Sequence, residues 1–303
     1  MKYALIVVLG PTAVGKTRLA CHLSKALNGE LISADSRQVY RKMDIGTGKD
    51  LSDFLIGDFK VPYHLIDIKD AGEAYNVFEF QRDFLAAFQT ISKKNKPTLL
   101  CGGTGMYLSA ALQKEKIVAV PLDQQLRNDL EKLSEEELID RLKQLKKLHN
   151  TSDSLDPIRL IRAIEIAEYE KKNPQEPMPS FPKIIIGIKA DRSVVKENIH
   201  RRLKDRLTNG MIEEVEQLIE SGVTHEQLNY YGLEYRFISL FLRNEIDKNQ
   251  LFTELYKAIC NYAKRQMTWY RRMEKQGIQI NWIDGTEPLD SQIKSALNII
   301  ANA

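Results

Sequence analysis

The sequence has few cysteines and lacks the long apolar runs of a membrane protein. Its three cysteines, Cys21, Cys101 and Cys260, are far apart and odd in number, which excludes a disulfide framework and a closely spaced metal knuckle. No apolar stretch approaches the roughly 20 residues that a membrane-spanning helix needs. The run Ala4–Leu9 leads into a glycine loop, so it predicts a strand and not a signal peptide. We therefore expect a cytoplasmic protein that does not contact membranes.

The sequence also lacks a strong excess of charge of either sign. A formal net charge of +3 does not by itself demand a nucleic-acid partner. One segment departs from this balance: residues 257–275 hold six Lys or Arg against one acid, Glu274, with three aromatic residues interleaved. Apolar residues make up 43% of the 303 residues. That share excludes an intrinsically disordered chain, and the length allows about two domains.

Short apolar strands alternate with helical segments in the first part of the chain. This alternation predicts a parallel α/β sheet. The predicted strands are Tyr3–Leu9, Glu30–Ser33, Pro97–Cys101, Lys183–Ile188 and Asn281–Ile283. The predicted helices of this pattern are Lys16–Leu27, Phe78–Ser92, Val194–Leu207, Met211–Ser221, Tyr235–Arg243, Asn249–Gln276 and Ser291–Ala301.

A leucine-rich helical region interrupts the α/β pattern near Val120. It runs from Asp123 to His149, and Ser134 with Glu137 forms a capping box that predicts two helices there. Another helix begins at Asp156-Pro157, and four prolines in residues 173–182 predict a linker. Because a strand then resumes, we predict an α-helical domain at residues 119–183, inserted into a core of residues 1–118 and 184–303 whose C-terminal part is helical.

The first strand is followed by a complete P-loop pattern. The glycines of this loop let backbone N–H groups converge on phosphate oxygens at a helix N-terminus. Lys16 would neutralise a terminal phosphate, and Thr17 would bind Mg²⁺. The fold prediction is thus a P-loop NTPase-like α/β core with an inserted α-helical domain. An ordinary glycine turn is the alternative, and the motif does not say which phosphate compound it holds. The motif consists of Gly10, Pro11, Thr12, Ala13, Val14, Gly15, Lys16 and Thr17.

Two further loops follow predicted strands and open onto the same edge of the sheet. Asp35 lies after the second strand, where an acid would point into the ligand cleft and take a proton or hold magnesium. Thr104 lies in a glycine-rich turn after a later strand. Each has a plainer interpretation, since Asp35 suits a turn or a helix cap and the threonine loop suits a simple turn. Three such elements at three strand ends favour one shared site.

These motifs resemble those of the bacterial isopentenyl-tRNA transferases, the tRNA dimethylallyltransferases of the IPP transferase family. The string YAKRQMTW after a P-loop core is highly specific for that family. The matches span residues 10–270, nearly the whole chain. They are, in chain order, GPTAVGKT, LISADSRQVY, MDIGTGK, VPYHLID, GGTGMYL, DPIRLIRAIE, NGMIEEV and YAKRQMTW.

The resemblance implies an activity. In that family the P-loop holds the pyrophosphate of dimethylallyl diphosphate and does not hydrolyse ATP. The exocyclic amine of adenosine 37, beside the anticodon of tRNAs that read codons beginning with uridine, attacks the first allylic carbon. Pyrophosphate then leaves with the help of Mg²⁺. The adenine is flipped out of the anticodon loop into a channel, and the enzyme is expected to be a monomer.

The resemblance also implies roles for individual residues. Asp35 matches the general base, and Thr104 matches a channel threonine that positions the nucleophile. Lys16, Thr17 and the loop amides would stabilise the leaving pyrophosphate, with Arg206, and Arg202 as a second candidate, reaching it from a basic helix. A solvated helix face is the alternative for those arginines. The residues implied to bind tRNA are Asp35, Ser36, Arg37, Gln38, Thr104, Arg127, Ile158, Arg159, Leu160, Ile161 and Arg162.

The basic and aromatic segment near residue 265 has two interpretations. Lys264, Arg265, Arg271 and Arg272 suit phosphate contacts, with Trp269 stacked on a base. Core packing is the favoured alternative for the aromatic residues Tyr262 and Trp269.

Three departures from the family pattern lie in regions linked to tRNA. Ile158 stands for a glutamine, Ile259-Cys260 for Thr-Arg, and Leu233-Glu234 where a tyrosine and a basic residue are usual. None lies in the diphosphate pocket, so we expect the reaction type to be unaffected.

Rival functions remain open at this point. An adenylate (AMP or ATP) isopentenyltransferase of the cytokinin type would share the P-loop and Asp35. It would not need the helical insertion or the YAKRQMTW segment. A P-loop small-molecule kinase predicts ATP turnover instead. A non-catalytic tRNA-binding protein would not need Lys16, Thr17, Asp35 and Thr104 together.

Overall fold

The computed structural model describes residues 4–145, 156–174 and 176–302. The chain divides into two compact units, one of Met1–Leu112 with Ser180–Ala303 and one of Gln113–Pro179. The chain leaves the first unit once and returns to it, with bounds a few residues earlier than those the sequence indicates. Among the described residues, no helix is both long and apolar enough to span a membrane.

The first unit is built on a six-stranded sheet. The strands of the chain are β1 (Leu5–Leu9), β2 (Glu30–Ser33), β3 (Leu55–Ile56), β4 (Phe59–Lys60), β5 (Tyr63–His64), β6 (Thr98–Gly102), β7 (Lys183–Lys189) and β8 (Asn281–Asp284). The sheet order is β5-β2-β6-β1-β7-β8 with every neighbouring pair parallel, while β3 and β4 form a separate antiparallel pair. Because Leu9 pairs with Gly102, the P-loop and the loop after β6 leave the sheet side by side. The predicted parallel α/β core is confirmed.

Helices accompany the sheet in the first unit and make up the second. The helices are α1 (Lys16–Leu27), α2 (Val77–Lys93), α3 (Gly105–Leu112), α4 (Gln124–Leu130), α5 (Glu135–Leu145), α6 (Pro157–Lys172), α7 (Arg192–Thr208), α8 (Met211–Glu220), α9 (His225–Tyr230), α10 (Leu233–Leu242), α11 (Lys248–Lys275) and α12 (Leu289–Asn302). Three of those described here, α4, α5 and α6, belong to the second unit. A short 3₁₀ helix spans Leu51–Phe54. The helices predicted in the core are all present, with ends that differ by at most two residues.

Capping side chains set several helix starts. Asn76 and Glu79 form a capping box at the start of α2, and Asp247 and Gln250 form one at the start of α11. A third capping box, formed by Thr224 and Gln227, begins the short helix α9. This helix is missing from the sequence prediction, although its capping box is visible in the sequence.

The second unit has its own apolar core. Leu130, Leu138, Leu142, Leu160 and Ile164 are almost fully buried and come from α4, α5 and α6. The predicted capping box is present, since the Ser134 hydroxyl and the Glu137 carboxylate each bond the other's backbone N–H. The predicted helix beyond residue 145 lies outside the described residues. The described part of 173–182 contains an isolated bridge but no helix or strand, as its prolines predict.

Candidate active site

The P-loop joins β1 to α1 through a backbone that glycine makes possible. A side chain at Gly10 would place its Cβ 2.5 Å from the Ile188 carbonyl oxygen, so only glycine fits there. Gly15, which precedes the helix, has a φ of 82°, in the left-handed region that glycine adopts without strain. Ala13 also lies in that region, with a φ of 65°. The loop therefore has the strained, curved backbone that gathers N–H groups around an anion.

Two cations contact this loop, and a third, Arg206, lies near one of them. The Lys16 ammonium donates to the Pro11 carbonyl at 2.8 Å, and the Arg202 guanidinium donates to the Thr12 hydroxyl at 2.5 Å. Arg206, whose side chain is 11% exposed, donates to both carboxylate oxygens of Asp50 at 3.1 Å. Arg202 and Arg206 lie one turn apart on α7 and point to the same region.

Electrostatics show that this region suits an anion. Burial lowers the pKa of Lys16 to about 8, although Cys101 and Asp35 act in the opposite direction. Burial and then the neighbouring Arg206 charge lower the pKa of Arg202 to about 10. A buried positive charge is costly unless an anion accompanies it. A phosphate or diphosphate bound here would stabilise both cations.

Open space leads to the P-loop backbone. A cavity of about 450 Å³ borders Ala13, Val14 and Gly15 and is lined by Arg18 and Arg202. A second cavity of about 320 Å³ is lined by Arg202, Arg206 and Lys49. Arg202 borders both cavities.

Asp35 and Thr104 lie on neighbouring loops at the same sheet edge. Oδ1 of Asp35 accepts from the backbone N–H of Arg37 at 2.9 Å, which is the turn geometry that the plainer interpretation predicts. The Thr104 hydroxyl accepts from the Ser36 N–H at 3.1 Å, and its own N–H donates to the Ala34 carbonyl. Asp35 is also within electrostatic range of Lys16 and Arg202. The structure thus brings the carboxylate, the threonine and the cations of the P-loop together.

Gln38 connects this loop to the following one. Its side-chain oxygen accepts from the Ser33 hydroxyl at 3.0 Å, and its side-chain NH₂ donates to the Gly48 carbonyl at 3.2 Å. A Cβ on Gly48 would lie 2.8 Å from the Arg206 guanidinium. Gly48 therefore contacts the side chains of both Gln38 and Arg206. The positions of these two side chains depend on the stretch of backbone around Gly48.

A glutamate that sequence reasoning missed holds this stretch in place. The Glu214 carboxylate accepts from the backbone N–H groups of Asp44, Ile45 and Gly46 at 2.8, 2.7 and 3.1 Å. The Tyr235 hydroxyl donates to the same carboxylate at 2.7 Å. Glu214 lies in the NGMIEEV string, so the motif marked it without indicating its contact.

Lys49 anchors the same stretch from the other side. Its fully buried ammonium donates to the Tyr40 carbonyl at 2.7 Å and to Asp44 at 2.7 Å. It also donates to Asp67 at 2.5 Å. We call residues 43–50, held by Glu214 and Lys49, the clamped loop.

Helix α11 joins the P-loop to the Thr104 loop. The Gln266 side chain accepts from the Thr12 N–H at 2.8 Å and donates to the Gly103 carbonyl at 2.8 Å. The Tyr270 hydroxyl donates to the Gly10 carbonyl at 2.9 Å. The Trp269 indole N–H donates to Ser109, and its ring lies against Gly105. Trp269 therefore packs inside the protein, as the packing interpretation predicts.

The basic residues of α11 lie elsewhere on the helix. Lys264 and Arg271 are exposed and line a cavity of about 360 Å³ beside Pro11, together with Arg192 and Lys196. Arg265 is also exposed. Tyr262, on the same helix, is half-buried and interacts with the Thr104 side chain, and burial raises the pKa of its phenol.

Two departures from the family pattern lie near this site or in its support. Glu234, at the start of α10, is half-buried, and burial raises its pKa while Arg202 and Arg206 act in the opposite direction. An acid therefore lies within electrostatic range of the cations around the P-loop. Ile259 is buried and Cys260 is half-buried in α11, so both belong to the packing of this helix.

In the second unit, two of the arginines predicted to bind tRNA form ion pairs within the unit. Arg127 forms a two-point ion pair with the buried Glu165 at 2.7 and 2.8 Å, and Arg162 adds a third bond at 3.0 Å. The Arg127 hydrogen bonds and charge hold the pKa of Glu165 at about 2. Leu160 and Ile161 are core residues whose side chains are not available to RNA.

The remaining predicted residues of this unit face outward. Ile158 is 74% exposed, and the Arg159 side chain is 71% exposed, with an ion pair to Asp156 at 3.3 Å. Both lie in the first turn of α6. Within this unit, Ile158 and Arg159 are therefore the members of the predicted set that present side chains to solvent.

The P-loop motif, its neighbouring cations, and the carboxylate and threonine at the adjacent strand ends form a cleft whose charge suits a phosphorylated ligand. Residues 38–273 match the family model described as IPP transferase. The chain belongs to this family. The P-loop itself precedes the matched range.

Named relatives and a solved structure agree with this placement. A protein of Bacteroides fragilis named tRNA dimethylallyltransferase 2 is 50% identical, over 96% of this chain and 96% of its own. One of the same name from Trichlorobacter lovleyi is 51% identical over 93% and 92%. The crystal structure of the full-length tRNA isopentenylpyrophosphate transferase from Bacillus halodurans is 31% identical, with a TM-score of 0.74 over 99% of this chain and 96% of that one.

Proposed function

We propose that this protein is a tRNA dimethylallyltransferase. It transfers the dimethylallyl group of dimethylallyl diphosphate to the exocyclic amine of adenosine 37 in tRNAs that read codons beginning with uridine. The observation that carries the proposal is the convergence of Asp35 and Thr104 with the cations around the P-loop. Relatives with half of their residues identical carry this name.

The reaction needs an anion site for the diphosphate of one substrate and a proton acceptor for the adenine amine of the other. The adenine N6 forms a bond to the first allylic carbon as the bond between that carbon and the diphosphate oxygen breaks. Lys16, Arg202, Arg206 and the P-loop N–H groups stabilise the charge that develops on the diphosphate. Asp35 accepts the N6 proton, because an aromatic amine is a weak nucleophile until that proton begins to leave. Thr104 helps to orient the amine.

Magnesium fits this site as an ion shared with the substrate. Mg²⁺ in proteins takes oxygen ligands, often one or two from the protein and the rest from phosphates and water. The Thr17 hydroxyl, in the first turn of α1 beside the Cys101 thiol, is the P-loop ligand we assign. Among the described residues, no group of three or more His, Cys, Asp or Glu is arranged to hold a metal. A bound Mg²⁺ would neutralise diphosphate charge as it leaves.

We expect the tRNA to bind through exposed side chains. In the second unit, Ile158 and Arg159 are the exposed candidates, since Arg127 and Arg162 are bound to Glu165. In the first, Lys264 and Arg271 suit the RNA backbone. We propose that the enzyme works in the cytoplasm as a monomer.

The deciding experiment is label transfer from dimethylallyl diphosphate with Mg²⁺. Unmodified tRNA and AMP are offered in parallel, and Asp35→Ala serves as the inactive control. Label on tRNA that is lost in the variant supports the proposal. Label on AMP alone would make the protein an adenylate isopentenyltransferase. Label on neither acceptor would contradict both, and ATP hydrolysis would then test for a kinase.

A further inference from the structure

Arg37 and Tyr230 form a stacked pair beside the proposed proton acceptor. The Arg37 guanidinium lies over the Tyr230 ring, 5.2 Å from its centroid. Tyr230 remains 44% exposed although it is a large aromatic residue. Arg37 follows Asp35 by two residues and donates its backbone N–H to the Asp35 carboxylate at 2.9 Å. The pair thus adjoins the reacting end of the site and is accessible from solvent.

The tyrosine ring is held in one orientation. Its hydroxyl donates to the Tyr75 carbonyl at 2.9 Å and accepts from the Tyr75 N–H at 3.3 Å. The neighbouring Tyr231 ring meets it edge to face, with centroids 5.5 Å apart. A ring that is fixed at its hydroxyl end and packed against a neighbouring ring is pre-organised.

The guanidinium is likewise confined. Gly232 lies next to it, since a Cβ on this glycine would be 3.5 Å from Arg37 Nε. The Arg37 charge also acts on the phenols of Tyr107 and Tyr262, in opposition to the dominant effect of burial. Tyr262 in turn interacts with Thr104. Arg37 therefore contacts the exposed ring of Tyr230 with its side chain and Asp35 with its backbone, and it lies within electrostatic range of Tyr262, the neighbour of Thr104.

We infer that Arg37 and Tyr230 form a stacking platform for the nucleobase adjacent to the reacting adenosine. The inference rests on the proposed function. Proteins recognise unpaired bases of RNA loops by stacking them on aromatic rings and on guanidinium planes. When one adenine enters the site at Asp35, the base before or after it in the loop leaves its own stack and needs a new surface. The platform supplies that surface two residues from Asp35.

An experiment that combines enzyme variants with altered RNA substrates tests this inference. The substrates are an intact anticodon stem-loop RNA and two versions that lack the base on the 5′ or 3′ side of the reacting adenosine. The enzymes are the wild type, Tyr230→Leu and Tyr230→Phe. Tyr230→Leu should raise KM for intact RNA about tenfold, the effect of losing one base–aromatic stack, and leave KM for dimethylallyl diphosphate unchanged. Tyr230→Phe keeps the ring but loses the hydroxyl bonds to Tyr75, so its KM for intact RNA should lie between the wild-type and Tyr230→Leu values.

The abasic RNAs distinguish a base contact from structural support. If the platform holds a base, one of the two abasic RNAs should show the same KM with the wild type and with Tyr230→Leu. An undiminished tenfold effect on both abasic RNAs would mean that Tyr230 only supports the surrounding structure, and it would overturn the inference. An unchanged KM for intact RNA would also overturn it.

Further variants serve as an independent test and as a control. Arg37→Gln and Arg37→Lys should both raise KM for RNA, because lysine retains the charge but lacks the plane, and Arg37→Gln takes over the test if Tyr230→Leu does not fold. Tyr256→Leu, which removes a ring that stacks on Phe252, is the matched control and should have no effect on KM. Absence of transfer to RNA by the wild type would contradict the proposed function itself, a result distinct from the failures above.

Discussion

The backbone N–H of Thr12 donates to the side-chain oxygen of Gln266 at 2.8 Å, across 254 residues of sequence. The same side chain donates to Gly103, beside Thr104, at 2.8 Å. One buried amide thus links the loop that would hold the diphosphate to the loop that would position the amine. The distance between the leaving group and the nucleophile depends on this link.

Replacing Gln266 should lower both stability and activity. Gln266→Leu leaves the Thr12 N–H and the Gly103 carbonyl without a partner, and each unsatisfied buried group costs about 1–3 kcal/mol. Urea unfolding should show this loss, and single-turnover transfer should slow because the two loops are no longer tied. Gln276→Leu, at an exposed position just after the same helix, is the control and should change neither quantity.

Replacing Glu214 should loosen the clamped loop. Glu214→Gln removes the charge that three backbone N–H groups and one tyrosine hydroxyl bind, and we expect a loss of about 2 kcal/mol in stability. KM for dimethylallyl diphosphate should rise, since Arg206 packs on this loop. Glu216→Gln, an exposed change on the same helix, serves for comparison. Equal behaviour of the two variants would rule out this role.

Two arginines of the second unit should behave in opposite ways. Arg127→Ala leaves the buried Glu165 short of its main partner and should destabilise the protein by about 3 kcal/mol. Arg159→Ala removes an exposed side chain and should leave stability unchanged while raising KM for tRNA. Thermal unfolding and tRNA kinetics check both. A stable Arg127→Ala protein with weak tRNA binding would favour a direct RNA contact instead.

Diphosphate binding should weaken at alkaline pH. Because the pKa of Lys16 is lowered to about 8, its ammonium loses its proton as pH rises past that value in the free enzyme. Then kcat/KM for dimethylallyl diphosphate should fall above about pH 8. Lys16→Arg should be slower at every pH but lack this decline near pH 8, since arginine stays charged there. A decline that persists in Lys16→Arg would assign it to another group.

Acid should destabilise the fold through Glu30. Burial raises the pKa of this carboxyl, but hydrogen bonds with His64, Lys94 and Lys96 outweigh it and bring the pKa to about 2. A depressed pKa gives stability that is fully present above the ordinary carboxyl range, near pH 4.5, and is lost as pH falls towards 2. Urea unfolding at pH 6 and pH 3 should differ less for Glu30→Gln than for the wild type. The exposed Glu220→Gln should follow the wild type.

The sequence predicts best what neighbouring residues determine. The sequence predicts β1, the P-loop and α1 because a buried strand, a glycine motif and a helix follow one another directly. β5, of only two residues, carries no such pattern and exists because it pairs with β2. The contacts of Gln266 and Glu214 join residues more than 160 positions apart, so only the folded chain shows them.

The internal ion pairs of the second unit are not visible in the sequence. The family resemblance implies that Arg127 and Arg162 bind tRNA, and the structure shows that both also bind Glu165. Nothing in the order of residues reveals that this glutamate is buried. The same limit applies to Tyr230, whose contact with Arg37 joins the end of α9 to a loop far away in the sequence.

The central claim is that Asp35 accepts the proton of the adenine amine while the P-loop holds the diphosphate. Single-turnover transfer to tRNA by Asp35→Asn, with dimethylallyl diphosphate binding measured alongside, tests it most directly. The account predicts a rate at least 100-fold below the wild type, the usual contribution of a general base, with an unchanged Kd for dimethylallyl diphosphate. A variant that transfers the group at the wild-type rate would contradict it.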